Sequence, residues 1–291
     1  MQKGGHATLR VRHTTRFDYS APVSLSHNVL RLTPVDTTLQ NVQATSLTID
    51  PPCQPISHLD YFGNVVHHFN LVEPHEFLEI VSESTVETVN AICTGSEDGN
   101  DDPRPFDQRL AEFITWSKGV PDLPEYATVP HAHEIRMEMG EIEFEQALMD
   151  VARYFSNNFR YDPDVTHVHS SPKALFEHGG GVCQDMAHAL IGVLRLAGIP
   201  ARYVSGYIYD AKKDEEGDHL RGAAATHAWV QAWHGKFGWV GIDPTNDKLV
   251  DWQYVRTAFG RDYYDVLPVS GLFRGLAEQR LQVSVQVKRL S

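Results

Sequence analysis

The sequence predicts an α+β protein: an N-terminal antiparallel β-sandwich, then a helix packed on a second antiparallel sheet. Three observations carry this. Over the first ninety or so residues, apolar and polar side chains alternate in short runs broken by turn residues. Apolar residues then recur at helical spacing. Last, a glycine-headed helix near residue 180 is followed by three strand-like runs. The 291 residues are enough for two domains at about 100–200 residues each. With 42% hydrophobic and 22% charged residues, the chain has ordinary globular composition and can bury a core without staples.

Each element has a local reason. Thr8 to Tyr19 alternates with period two, and Asn28 to Pro34, Val42 to Asp50, Val65 to Val72 and Phe77 to Val89 follow suit. Asp50-Pro51-Pro52, Phe62-Gly63-Asn64 and Glu73-Pro74-His75 punctuate them. The polar, acidic stretch Thr94 to Pro103 reads as a linker. Phe106, Leu110, Phe113 and Ile114 share one helix face; Phe144, Leu148, Val151 and Phe155 share another. Ser171 and Pro172 have the character of an N-cap and a first helical residue. The next helix starts after Gly179-Gly180-Gly181, carries a stripe at 186, 190, 193, 194 and 197, and stops at Gly198 and Pro200. Strands follow at Ala201–Asp210, His227–Trp233 and Phe237–Asp243, and Arg280 to Lys288 alternates as a final strand. These breaks divide the chain into a β-sandwich domain at residues 1–95, an acidic linker and helical connector at 96–140, and a core with its C-terminal strand at 141–291.

The formal net charge is −13. A surface of that sign does not suit nucleic acid or anionic membranes, so neither is an expected partner. No window reaches 18 consecutive apolar residues, and the opening Met1 to His6 lacks a signal-peptide core. The expected compartment is the cytoplasm. Cys53, Cys93 and Cys183 are odd in number and far apart, which fits neither a disulfide framework nor a zinc finger. A single reactive thiol is the remaining use.

Cys183 falls in the first turn of the glycine-headed helix. A thiol is nucleophilic as thiolate, and unpaired N–H groups at a helix N-terminus stabilise that anion. The preceding glycines let a substrate backbone come close. His227 opens one strand and Asp243 closes the next, with His234-Gly235-Lys236 as the turn. A symmetric hairpin centred on Gly235 sets His227 directly opposite Asp243, where an imidazole and a carboxylate can hydrogen-bond. Singly, each residue has a plain packing reading; together they form a nucleophile, a base and an orienter.

The segments Gly179-Gly-Gly-Val-Cys-Gln-Asp185, Thr226-His-Ala-Trp-Val230 and Trp239-Val-Gly-Ile-Asp-Pro-Thr-Asn246 resemble the three active-site blocks of the transglutaminase-like superfamily. Arg12 to Ser20 and Leu30 to Pro34 resemble the β-rich N-terminal region of its bacterial members, and Gly260 to Pro268 is similar to that group too. The resemblance implies a papain-like core with Cys183 as nucleophile, His227 as general base and acid, and Asp243 as orienter. It further implies covalent acyl transfer at amides through a thioester, either as hydrolysis or as transglutaminase-type transfer to an amine. A protein or peptide is the expected substrate, with no cofactor. Hydrolysis is favoured over cross-linking, and a glycan-linked asparagine is a further substrate the superfamily admits.

The Cys183 N–H is the natural oxyanion donor. A papain-like second donor would be a Gln six residues earlier, but Glu177 stands there. Tyr161 is the substitute candidate, against an alternative of simple packing. Trp229, with Trp233 and Trp239, lines a substrate groove or packs the core. His131 with His133, and His167 with His169, have period-two spacing but no completing ligands, so no metal site is assigned. Residues 210–218 read as a loop beside the site. The competing reading is a non-catalytic protein that binds peptides or partners through its N-terminal β-domain. Oligomeric state is not legible.

Overall fold

A computed structural model describes residues 5–89, 106–163, 171–211, 220–222 and 225–291. The linker at Thr94 to Pro103, Cys93, the His167/His169 pair and most of the 210–218 loop lie outside the described residues.

The N-terminal half is organised by β1 (His6–Leu30). β2 (Gln40–Asp50), β3 (Ile56–Leu59), β4 (Val65–Leu71) and β5 (His75–Val89) follow. The first part of β1 pairs with β5, and its last part, from Ser26, pairs with β4. The β1–β5 register breaks between Asp18 and Val23, so one strand serves two layers. The runs at Thr8–Tyr19 and Asn28–Pro34, read as separate strands, are thus two arms of one. β2 joins β5 and β3 joins β4, giving the order β2-β5-β1-β4-β3. Leu30, Phe69 and Leu71 of one layer face Ile49, Leu78 and Ile80 of the other. The expected sandwich is therefore a single sheet folded over a shared core. β3 was missed because all four of its residues are exposed, which leaves no apolar alternation to read.

Helices α1 (Phe106–Ala111) and α2 (Glu141–Asn158) lead to the short β6 (Arg160–Tyr161). α3 (Pro172–His178) starts as expected: the Ser171 side chain accepts from the Lys173 N–H. Then come β7 (Gly180–Gly181) and α4 (Cys183–Leu196). The core sheet comprises β8 (Ala201–Ile208), β9 (His227–His234), β10 (Gly238–Asp243), β11 (Lys248–Leu249) and β12 (Tyr254–Gly260). Its order is β11-β10-β9-β8-β12, antiparallel throughout.

The predicted stripe of α4 packs on one sheet face, with Met186, Leu190 and Val193 in the same cluster as Tyr203, Val230 and Ile242. The helix is buried well beyond that stripe, from Cys183 through Arg195. On another side Gly192 admits Tyr126; a Cβ there would fall 2.2 Å from the tyrosine ring. Arg195 is buried because its guanidinium donates to the carbonyls of Phe113, Thr115, Ala201 and Arg261.

The opposite face of the core sheet is covered by the N-terminal half, where Leu9, Val11 and Val86 meet Tyr207 and Val255. β12 lies at the end of the sheet order, and two side-chain amides cap it. Gln40 exchanges hydrogen bonds with the backbone of Arg256 at 2.8 and 2.9 Å. Asn64 does the same with Phe259 at 2.9 Å each.

The last two strands, β13 (Val269–Arg274) and β14 (Gln279–Arg289), do not join the core sheet. Both pair with β1, β14 continuously from Leu9 to Tyr19. The alternation at 280–288 identified the strand but not its partner. Among the described residues no helix is long and apolar enough to cross a membrane.

Candidate active site

The site is assembled at the N-terminus of α4. β6 and β7 pair in parallel, with Tyr161 against Gly181. Gly181 is required for space, since a Cβ there would lie 2.7 Å from Asp185 Oδ2. That oxygen accepts from the Val182 N–H at 2.8 Å and fixes the turn into the helix. Cys183 is the first helical residue, and its N–H has no carbonyl four residues back within the helix. It is 8% exposed, at the edge of the buried core.

The hairpin departs from the expected register. His234 opposes Gly238 and Val230 opposes Ile242, which centres the turn on Lys236 rather than Gly235. His227 and Asp243 are therefore diagonal rather than opposite. The physical cause is a wider turn: His234 Nδ1 accepts from the N–H groups of both Lys236 and Phe237, and Gly238 takes a φ of 85°. Because the slip is two residues, both side chains stay on one face. His227 Nε2 and Asp243 Oδ2 lie 2.7 Å apart, and neither side chain has solvent exposure.

Asp243 is saturated with donors. Oδ2 also accepts from Tyr254 Oη and Asn246 Nδ2, each at 2.8 Å. Oδ1 accepts from the N–H groups of Thr245 and Asn246. Burial alone raises its pKa, but the charge and hydrogen bond of His227, with the bonds from Asn246 and Tyr254, bring it below the usual carboxylate range. For His227, burial favours the neutral ring. Asp243 opposes this through charge and a hydrogen bond, Cys183 does so too, and the imidazole is raised to about 10. The His227–Asp243 pair is thus geometrically direct, and the site can hold an imidazolium with Asp243 as its counter-charge.

Burial pushes the Tyr161 hydroxyl up to about 12, with Cys183 and Asp243 adding to the rise and Arg221 opposing it. The tyrosine packs against the cluster that includes Cys183. Trp229 is placed differently from a groove residue. It is 1% exposed and packs with Val204, Ile208 and Tyr254. Its ring stacks behind His227 at a centroid distance of 6.2 Å. The structure makes it a wall for the imidazole. Trp233 and Trp239 pack with Phe113 in another cluster. Glu177 is exposed and pairs with Lys173. His131 pairs with Glu134 on the surface.

Several site residues were not singled out from sequence. Asn246 ends the Trp239–Asn246 segment, where nothing in the residue pattern gives it a role. Tyr254 and Gly222 meet the site only through the fold, and Tyr203 and Tyr263 pack in the cluster that includes Cys183, where burial above all raises their pKa values.

A Cys–His–Asp cluster with its cysteine heading a buried helix, beside an antiparallel sheet, defines a papain-like core. Residues 132–244 match the transglutaminase-like superfamily, and residues 9–87 match the bacterial transglutaminase-like N-terminal region. An uncharacterised protein of Mycobacterium leprae is 34% identical, with 97% of this chain and 99% of that protein aligned. The chain belongs to the transglutaminase-like superfamily. A Pseudomonas aeruginosa protein-glutamine gamma-glutamyltransferase is 34% identical over 122 residues, covering 40% of this chain and 18% of that protein. Among solved structures, a Cytophaga hutchinsonii protein described as a "putative cysteine protease" shares the fold, with a TM-score of 0.71, 20% identity, and 99% and 92% of the two chains covered.

Proposed function

We propose that the protein catalyses cysteine-dependent acyl transfer at an amide bond of a protein or peptide, with Cys183, His227 and Asp243 as its catalytic residues. The observation that carries this is the fully buried His227–Asp243 pair at 2.7 Å, in a core whose helix α4 begins at Cys183. Papain-like chemistry requires that arrangement. The Pseudomonas relative, whose name states transfer at glutamine, supports an amide as acyl donor.

The cysteine thiolate attacks the amide carbonyl, forming a C–S bond. Negative charge on the carbonyl oxygen is met by the Cys183 N–H at the helix N-terminus, with the Tyr161 hydroxyl as second donor. On collapse of the tetrahedral intermediate the C–N bond breaks, and His227 passes its proton to the departing amine. A thioester remains. His227, now neutral, takes a proton from water or from an incoming amine, which attacks the thioester and releases the sulfur as thiolate. Asp243 keeps the ring oriented and stabilises its charged form through the cycle.

The test is mass spectrometry of a glutamine-containing peptide incubated with the wild type and with Cys183→Ala, with and without an added primary amine. Conversion of amide to acid, cleavage of the backbone, or an amine adduct each supports the reading and names the reaction. Equal outcomes for the two proteins would overturn it.

A further inference from the structure

The His227 ring is held from several sides, and one of the holders is backbone. Asp243 lies at Nε2 and Trp229 stacks on a face. At the Nδ1 edge lies Gly222, with a φ of 85°, where an added Cβ would fall 2.4 Å from Nδ1. Both conformation and space exclude any other residue there. Asn246 holds this stretch in place. Its Oδ1 accepts from the Arg221 N–H at 2.9 Å, and its Nδ2 donates to the Arg221 carbonyl at 3.2 Å. The amide thus pairs with Arg221 as a neighbouring strand would. The same Nδ2 group donates to Asp243 Oδ2 at 2.8 Å.

We propose that Asn246 is a positioning residue of the site: its side-chain amide clamps the Arg221–Gly222 backbone against the Nδ1 edge of His227 and holds Asp243 against the Nε2 edge. One side chain thereby fixes both ends of the imidazole and so the direction in which Nδ1 points. This inference rests on the catalytic reading above. A ring rotated by a few tens of degrees keeps its pocket but loses the alignment that the 2.7 Å bond to Asp243 gives it.

The experiment is iodoacetamide alkylation at neutral pH. The rate at Cys183 relative to Cys53 is read by mass spectrometry, well below the melting temperature of each variant. The wild type should show a ratio far above one. Asn246→Ala, which releases the clamp, and Gly222→Ala, which pushes on the ring directly, should each lower it by about tenfold. The double variant should fall no further than the worse single one, because both act through one device. Loss of fold stability alone would lower the melting temperature without moving this ratio. If Asn246→Ala does not fold, Asn246→Ser carries the same test. A high wild-type ratio that Asn246→Ala leaves within about twofold, or losses that multiply in the double variant, would overturn this proposal alone. A wild-type ratio near one would instead overturn the catalytic reading.

Discussion

His13 of the N-terminal sheet and Tyr207 of the core sheet are joined across the seam between the two halves: His13 Nδ1 lies 3.0 Å from the tyrosine hydroxyl, and the rings meet edge to face. Thr15 Oγ1 engages the other ring nitrogen at 2.8 Å. Burial pushes the His13 imidazole down to about 4. The folded protein therefore keeps this ring neutral where the unfolded chain, near its ordinary value of 6.5, already binds a proton. Stability falls as pH drops from about 6.5 towards 4. His13→Asn retains polar reach towards Tyr207 and removes the titration. Denaturant unfolding at pH 4.5 and 7 should show the pH-dependent loss reduced by on the order of 1–2 kcal/mol. An unchanged loss would place the acid sensitivity elsewhere.

Asp243→Asn separates the two opposing influences on His227. Burial lowers the imidazole, whereas the carboxylate and Cys183 raise it to about 10. The raised value means that the charged imidazole stabilises the fold fully below about 6.5 and that this contribution is lost as pH rises through about 10, whereas that of the Asp243 carboxylate is lost only as pH falls through its lowered value. Without the carboxylate, burial gains ground and the ring should titrate well below 10. The His227 ring-proton resonance followed by NMR reports this directly. Turnover of an amide substrate should drop on the order of 10²–10⁴-fold. A variant ring that still titrates near pH 10 would contradict the assignment.

Gly192→Ala tests how tightly α4 is seated. The added methyl meets the Tyr126 ring at 2.2 Å, on the helix that presents Cys183. Overpacking of this kind costs about 1–3 kcal/mol. A lower melting temperature, with a shift in the near-ultraviolet signal of Tyr126 and its neighbour Trp116, is the expected result.

Removal of β14 should unfold more than its own strand. It pairs with β1 from Leu9 to Tyr19 and places Val285 in the seam beside Leu9 and Val11. A chain truncated after residue 275 should lose the cooperative unfolding of the whole protein and expose the β1 edge to aggregation. A truncated protein with wild-type melting behaviour would show β14 to be an ornament of the sheet.

Much of this was legible in sequence because local patterns suffice for it. Glycines before an apolar stripe place Cys183 at a helix start, and period-two alternation puts His227 and Asp243 on one face. The exact pairing was not legible, since it depends on His234 Nδ1 capturing two turn amides. Nor was the role of Trp229. Alternation assigns a face, but only the packed structure shows that Gly206 leaves room for it; a Cβ there would come within 2.6 Å of the indole. Asn246 and Gly222 act through contacts up to 25 residues apart in sequence yet set by three separate elements, and no periodicity encodes such a meeting.

The order in which β1 finds its neighbours has a consequence for biosynthesis. The Thr8 carbonyl accepts from the Leu290 N–H at 2.7 Å, so β1 is zipped to a strand made only after the other described strands, β2 to β13, have been synthesised. β1 therefore has an open flank while the helices and the second sheet are being made, and a nascent-chain chaperone would find a binding edge there.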